Sequence, residues 1–410
     1  MSYIIKMKEV IGRSSQKKSR LGELIKAYRS YLFEDYLPFL DRFIFDEQHG
    51  GFFWNTTYSG EILGTNKRTW YDARGAWVYS FLYQNFDRNP LYLRKAKQTL
   101  DLLLRVKSHA QQFWPWSYDH EGVDLKERPG DIYGNLFVAE AFAAYAEAAD
   151  DVSYWIFAKQ RVLEAFEWYQ DSAYRYALEY RPDPLYGEAS EVLGHYMIIL
   201  HVCTGMLRYK ADLELNNIVS ECIDALLTKH VHPVHGLMVE LQAKPGNDLP
   251  VSYEQFVYLG HAIEALWMVM DEAMRRHDFD LFQLAAQRFK QHVEVAWDDL
   301  HGGFFHCLNH VDDYHFLTDK VLWAQEEVLI GCLILWEEQD DSWAKTWFWK
   351  TYNYMEKYFV RHDLPYKPWK LGGGRKMDKL DVGYRIENYH HPRHLMFSLL
   401  SLDRILKNTI

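Results

Sequence analysis

"HGGFFWN" begins at His49 and "HGGFFHC" begins at His301, so one five-residue stretch stands twice in a chain of 410 residues. Chance rarely repeats a stretch so rich in Gly and aromatics. A duplicated turn in a repeat architecture does, and it predicts weaker copies between the two at a regular period. Four stretches fit that expectation: "FWPWSYDHEG" around Trp114, "RPDPLYGEAS" around Tyr186, "HPVHGLMVEL" around His235 and "RHDLPYKPWKL" near Leu364. The marks stand roughly 50 to 70 residues apart, which is room for two helices of ordinary length with their loops. Apolar residues between them recur at helical spacing, as in "TWYDARGAWVYSFLY" from Thr69 and "HAIEALWMVMDEAM" from His261. Six helix pairs predict an all-α fold, an (α/α)6 barrel with short β-hairpins in the connecting loops. Residues 1–410 are expected to form one catalytic domain, and an open helical solenoid is the rival.

Closure is favoured by polar groups on stripes that should be apolar. Arg74 shares a stripe with Trp70, Trp77 and Phe81, and Tyr133 and Asn135 stand in "GDIYGNLFVAEAF". Glu191 and His195 occur in "EASEVLGHYMIILHV", His261 and Glu264 in "LGHAIEALW". Trp323 and Glu327 follow in "KVLWAQEEVLIG", and His390 and Arg393 in "ENYHHPRHLMFSLL". Any one of these is well explained as a hydrogen-bonded core group. Six groups of mixed sign at a shared phase are better explained by a polar pocket on a common axis, because a buried charge needs partners.

The net charge of −11 and the lack of a basic stripe argue against nucleic acid. The longest apolar run, "VLIGCLILW" from Val328, is too short to span a bilayer. Four scattered cysteines without a C-x-x-C pair fit a reducing compartment, and the N-terminus lacks the apolar run of a signal peptide. A soluble cytoplasmic protein is expected. With 15 Trp and 29 Tyr, it has flat amphipathic rings suited to the walls of a sugar pocket. Other amphipathic small molecules suit such walls as well, and a homodimer stays open. The pairs at "HPVH" and His390–His391 lack H-E-x-x-H or facial-triad spacing, so no metal is expected. "LGGGRK" from Leu371 sits in no βαβ unit, and no nucleophile motif stands out, so no cofactor is expected either.

Four motifs in order carry a family resemblance: "KRTWYDARGAW", "LGHAIEALW", "KVLWAQEE" and "YHHPRH". Together they resemble the N-acylglucosamine 2-epimerase family, which includes cellobiose and mannose 2-epimerases and related aldose–ketose isomerases. The resemblance runs from about Leu24 to Leu400. It implies that His261 and His390 are an acid/base pair and that Arg74 holds the oxygen that becomes negative. Glu264, Trp323, Glu327 and Arg393 would line the site, with Tyr133, Asn135, Glu191 and His195 as further sugar-binding candidates. The third inner helix departs from the disaccharide epimerases, reading "GHYMIILHV".

The chemistry asks for such residues. Inverting C2 of an aldose means opening the ring, removing the proton beside the carbonyl and returning it on the opposite face. A His pair titrates near working pH, and an Arg aimed at the enediolate oxygen acts as an oxyanion hole. Glu264, one helical turn from His261, is expected to fix that imidazole's tautomer. The expected function is a 2-epimerase of free aldoses of the glucose/mannose type. Alternatives are an N-acylglucosamine 2-epimerase, an aldose–ketose isomerase, a glycoside hydrolase using two carboxylates, and a non-catalytic sugar binder. His49 and His301 are expected to serve their turns rather than catalysis.

Overall fold

The computed structural model describes residues 19–107, 112–176, 190–246, 248–249, 251–361, 363–364, 372–373 and 385–408. The turn mark around Tyr186, most of the one near Leu364 and the first 18 residues lie outside them. The helices are α1 (19–44), α2 (Thr69–Asn85), α3 (Pro90–Val106), α4 (Ile132–Ala149), α5 (Val152–Gln170) and α6 (Leu193–Tyr209). They continue as α7 (Leu213–Asp224), α8 (Leu259–Arg276), α9 (Phe279–Ala296), α10 (Leu322–Gln339), α11 (Ser342–Tyr358) and α12 (His390–Asn408).

Each even-numbered helix packs on the next even-numbered one, and α12 returns to α2. At that seam the Tyr71 hydroxyl donates to the Ile386 carbonyl (2.7 Å) and Asn388 Nδ2 donates to the Tyr71 carbonyl (3.0 Å). The ring is closed, so the fold is an (α/α)6 barrel and not a solenoid. Helices of the inner ring bury residues on every face, as α6 and α10 do. Those of the outer ring bury one stripe, as α5 does with Trp155, Ala158, Val162, Ala165 and Tyr169. That contrast follows from having neighbours on all sides or on one. Among the described residues no helix is long and apolar enough to cross a membrane. The four cysteines are buried and form no disulfide.

Loop length decides which end of the barrel carries the site. Three inner helices stop at a left-handed residue, Asp150, His277 or Asp340, and the next residue is an Asp that caps the outer helix. Asp151, Asp278 and Asp341 accept from the backbone N–H of Ser153, Leu281 and Ala344. A left-handed stop followed by an N-cap reverses the chain in two residues. The long connections therefore collect at the N-terminal ends of the inner helices. There, short strands stitch neighbouring loops together: Lys67–Arg68 with Ser117–Tyr118, Glu191–Val192 with Leu241–Gln242, and Lys320–Val321 with Gly372–Gly373, all antiparallel.

The repeated sequence is a repeated structure. Bridges at Phe45–Phe52, Val231–Met238 and Trp297–Phe304 close three hairpins of the same form. In each, residue 46, 232 or 298 accepts at its carbonyl from the N–H of Gly50, Gly236 or Gly302. "HPVHG" is thus a true third copy, whereas the Trp114 stretch forms a different hairpin, bridged at Tyr118–Asp124. In the two "HGGFF" copies a buried lysine locks the turn. Lys67 Nζ donates to Asp46 Oδ2 (2.8 Å) and to the Gly50 carbonyl, and Lys320 Nζ donates to Asp298 Oδ2 (2.9 Å) and to the Gly302 carbonyl. The Phe52 N–H then donates to Asp72 Oδ1 (2.7 Å) and the Phe304 N–H to Gln325 Oε1 (2.8 Å). Each turn is thereby pinned to the first turn of its inner helix. His49 stays with that turn, its Nδ1 3.1 Å from Asp46 Oδ2.

Gly51 has φ +77°, and a Cβ there would lie 2.5 Å from Asp72 Oδ2. Gly51→Ala should cost about 1–3 kcal/mol through backbone strain and lost contact, read as a lower urea midpoint. An unchanged midpoint would show that the turn is not pinned to α2.

Candidate active site

The first turns of the inner helices bring most of the expected residues to one end of the barrel. Arg393 is fully buried, and its Nη2 donates to Glu264 Oε1 (2.5 Å) and Glu327 Oε1 (2.6 Å). Glu327 Oε1 is also 2.9 Å from His390 Nδ1, and its other oxygen accepts from Trp267 Nε1 (2.8 Å). One guanidinium and one imidazole from α12 thus converge on carboxylates from α8 and α10. Burial alone would raise the Glu264 pKa, but the charges of Arg393, His390 and His261 outweigh it and hold the carboxyl at about 2. Glu264 is therefore ionised at neutral pH.

Glu264 does not do what its spacing suggested. The imidazole of His261 pairs instead with Glu240, Nδ1 to Oε1 at 3.0 Å. Glu240 follows the third hairpin and is held in place as its backbone N–H donates to the Phe256 carbonyl (2.8 Å). Residues three apart on a helix share a face, but Arg393 arrives from α12 and captures Glu264. Glu240 was quoted within "HPVHGLMVEL" but carried no periodic signal of its own.

A carboxylate only accepts, so the Glu240 contact assigns Nδ1–H to His261. His390 Nδ1 also lies 3.1 Å from Arg393 Nη2, but the two protons of that nitrogen go to Glu264 and Glu327. That leaves Nδ1–H of His390 facing Glu327, and Nε2 basic in both rings. The two rings flank one indole: His261 and His390 have centroids 5.7 and 5.2 Å from Trp323. That indole needs Gly260, since a Cβ there would collide with its ring. Tyr258 adds an edge contact to His261 at 4.3 Å.

Arg74 faces this group from α2. Its guanidinium stacks among Phe137 (3.9 Å), Tyr389 (4.7 Å) and Trp70 (4.8 Å). Its Nε is buried, and among the described residues it has no hydrogen-bond partner. The Tyr133 hydroxyl and His195 Nδ1 are buried in the same state. Tyr133 and His195 stack at 4.5 Å, and the Tyr174 hydroxyl is 3.2 Å from His195 Nε2. Burial, then the nearby charges of His261 and Lys244, push the His195 pKa well below its usual value, so this ring is neutral.

Two candidates do not join the cluster. Asn135 Oδ1 accepts from the Trp114 N–H (3.0 Å), a packing role that fixes the loop before α4. Glu191 accepts from the Tyr196 hydroxyl (3.2 Å) on α6 and lies 3.6 Å from Lys229, just beyond α7. Asn135 Nδ2, by contrast, is buried with no hydrogen-bond partner among the described residues.

Two sets of side chains have the composition of a metal site. Glu264, Glu327 and His390 form one, but Arg393 Nη2 fills the position a cation would take. Glu326, His391 and His394 form the other. There both imidazole Nδ1 atoms face Glu326 Oε1, at 2.5 and 3.3 Å, and the Nε2 atoms reach Tyr31 and Tyr28. Burial raises the Glu326 pKa, but the two histidines bring it down to about 2. This relay braces α12 against α10 and α1.

The sequence model of the N-acylglucosamine 2-epimerase family matches residues 50–370. The chain belongs to the N-acylglucosamine 2-epimerase family. It is accordingly a carbohydrate isomerase of the racemase and epimerase class. Among individual proteins it is similar to the human N-acylglucosamine 2-epimerase, 24% identical over 338 residues that cover 79% of this chain and 77% of that one. Its fold is similar to that of cellobiose 2-epimerase from Spirochaeta thermophila, with TM-score 0.79, 19% identity and coverage of 95% and 98%. A D-mannose isomerase structure matches with TM-score 0.74 at 14% identity, covering 95% and 97%. The motif lysines of the family resemblance, Lys67 and Lys320, belong to the hairpin locks described above rather than to the cluster of His261 and His390.

Proposed function

We propose that the chain is a cofactor-independent 2-epimerase of free aldoses of the glucose/mannose type. The observation that carries this reading is the pair of imidazoles flanking Trp323, each with Nδ1 on its own buried carboxylate. In the open-chain sugar, Nε2 of one histidine takes the C2 proton. The C–H electron pair forms the C1–C2 double bond while the carbonyl π pair moves onto O1. The other histidine then delivers a proton to the opposite face of C2, and the carbonyl is restored. Both carboxylates stabilise the imidazolium that each proton transfer creates.

Arg74 is the group for the developing O1 charge, held by rings and with its Nε lacking a hydrogen-bond partner among the described residues. The Tyr133 hydroxyl and neutral His195 would take sugar hydroxyls. Arg74→Met should lower kcat by about 10²–10³-fold with the fold intact, the usual loss for one oxyanion donor. A loss confined to KM would make Arg74 a sugar-hydroxyl ligand instead.

The reading is tested by incubating glucose, mannose and N-acetylglucosamine with the protein in heavy water. Deuterium at C2 of a neutral hexose is expected. Exchange with N-acetylglucosamine alone would move the substrate to the N-acylated class. Deuterium at C1 of a ketose would mark an aldose–ketose isomerase, and release of sugar from an oligosaccharide without exchange would mark a hydrolase.

A further inference from the structure

The inner helices enclose a second cavity at the other end of the barrel, where the short turns lie. Its volume is about 580 Å³, within the usual range for small-molecule sites, and it is lined by the C-terminal halves of all six inner helices. His261, His390 and Arg74 take no part in it. Its wall is aromatic: Trp77, Phe81 and Phe397 pack with centroids 5.2 to 6.2 Å apart, and Trp267 lies 6.1 Å from Phe397.

The polar part of the lining is acidic. Glu140, Glu147, Asp271, Glu337 and Glu338 face it against Arg208, Arg404 and His201, whose Nε2 lies 3.3 Å from Glu140 Oε1. Both guanidiniums are committed. Arg208 holds Asp271 through two bonds of 2.8 and 2.7 Å, and Arg404 holds Glu337. Glu140, Glu147 and Glu338 are left with no guanidinium ion pair among the described residues. Glu140 is 4% exposed; its Oε1 accepts from the Tyr389 hydroxyl (2.8 Å), and its Oε2 is buried with no hydrogen-bond partner among the described residues. Six helix C-termini add their negative dipole ends to the same mouth. Burial raises the pKa of Glu147 and Glu338 against the opposing pull of Arg208 and Arg404.

We propose that this mouth is a binding site for a small organic cation with an apolar or aromatic body, an amine or a quaternary ammonium. Aromatic faces attract such a head group and carboxylates neutralise it. An anion would meet an excess of carboxylates, and a neutral apolar molecule would offer the buried Glu140 Oε2 no partner.

The test is a titration of the full chain with benzyltrimethylammonium, followed by calorimetry and by tryptophan fluorescence. Binding is expected, with neutral benzyl alcohol at least tenfold weaker. The double variant Glu147→Gln, Glu338→Gln should weaken the cation at least tenfold. Gly205→Phe should abolish binding while leaving circular dichroism unchanged. Gly205 lines the cavity, and a Cβ there meets nothing within 4 Å, so the new ring enters open space. Lack of binding by the natural chain, equal binding of benzyl alcohol, or binding that survives Gly205→Phe would each overturn the proposal. None of these outcomes depends on sugar turnover.

Discussion

Replacing either His261 or His390 by Ala should abolish epimerisation at C2, with a loss of at least about 10²–10⁴-fold, the usual contribution of one positioned acid or base. The double variant should be no worse than the poorer single variant by more than a small factor, since both steps of one inversion need their own group. The two singles are expected to differ in one respect. Starting from either epimer, the variant that keeps the base for that face should still wash deuterium into C2 without inverting it. Washing-in and inversion are read separately, by mass and by nuclear magnetic resonance. Near-full inversion in either variant would end the two-base assignment. Unlike the aromatic contacts around them, the two imidazoles sit on carboxylates from separate segments, Glu240 and Glu327. Glu240→Gln should therefore lower kcat through His261 alone, and its effect should vanish in a His261→Ala background.

Arg393→Met should be the most destabilising single change in the site, at about 3–5 kcal/mol, because it strips the partner from two buried carboxylates. Denaturant midpoints measure it, and adding Glu264→Gln should recover part of the loss. A cost below about 1 kcal/mol would show that Glu264 and Glu327 reach water without Arg393. The same ion pairs set the response to acid. The folded-state pKa of Glu264 is depressed to about 2 from the ordinary 4.5, and that of Glu326 likewise. The stability they contribute is complete above about pH 4.5 and is lost as pH falls from there toward 2. Arg393→Met lifts the Glu264 value, so acid unfolding should begin at higher pH in that variant. Identical acid midpoints would contradict this.

The period of the chain and the residues of its inner helices were legible because their causes are local. A Gly-Gly turn needs left-handed backbone wherever it stands, and an inner helix buried on all sides shows its odd polar group against an apolar background. Arg74, Tyr133, His195, His261, Glu264, Trp323, Glu327, His390 and Arg393 were visible as positions for that reason. Asn135 and Glu191 looked the same in sequence, yet one anchors a loop and the other pairs with Tyr196 and Lys229. Sequence position gives the height of a side chain along a helix, but what waits beside it depends on the neighbouring element.

The "HGGFF" pair shows the division well. The sequence by itself determined that two turns are alike, that they recur with a helix-pair period, and that His49 stays with its turn. Only the tertiary structure decided what the turns do: Lys67 and Lys320 lock them, and the Phe backbone pins α2 and α10 at the turn that carries Trp70 and Trp323. It also decided that Glu240 orients His261 while Glu264 answers Arg393. Those pairings join residues 21 and 129 positions apart. They are set by the distance between packed helices and by the reach of side chains, and neither quantity is written in the spacing along one helix.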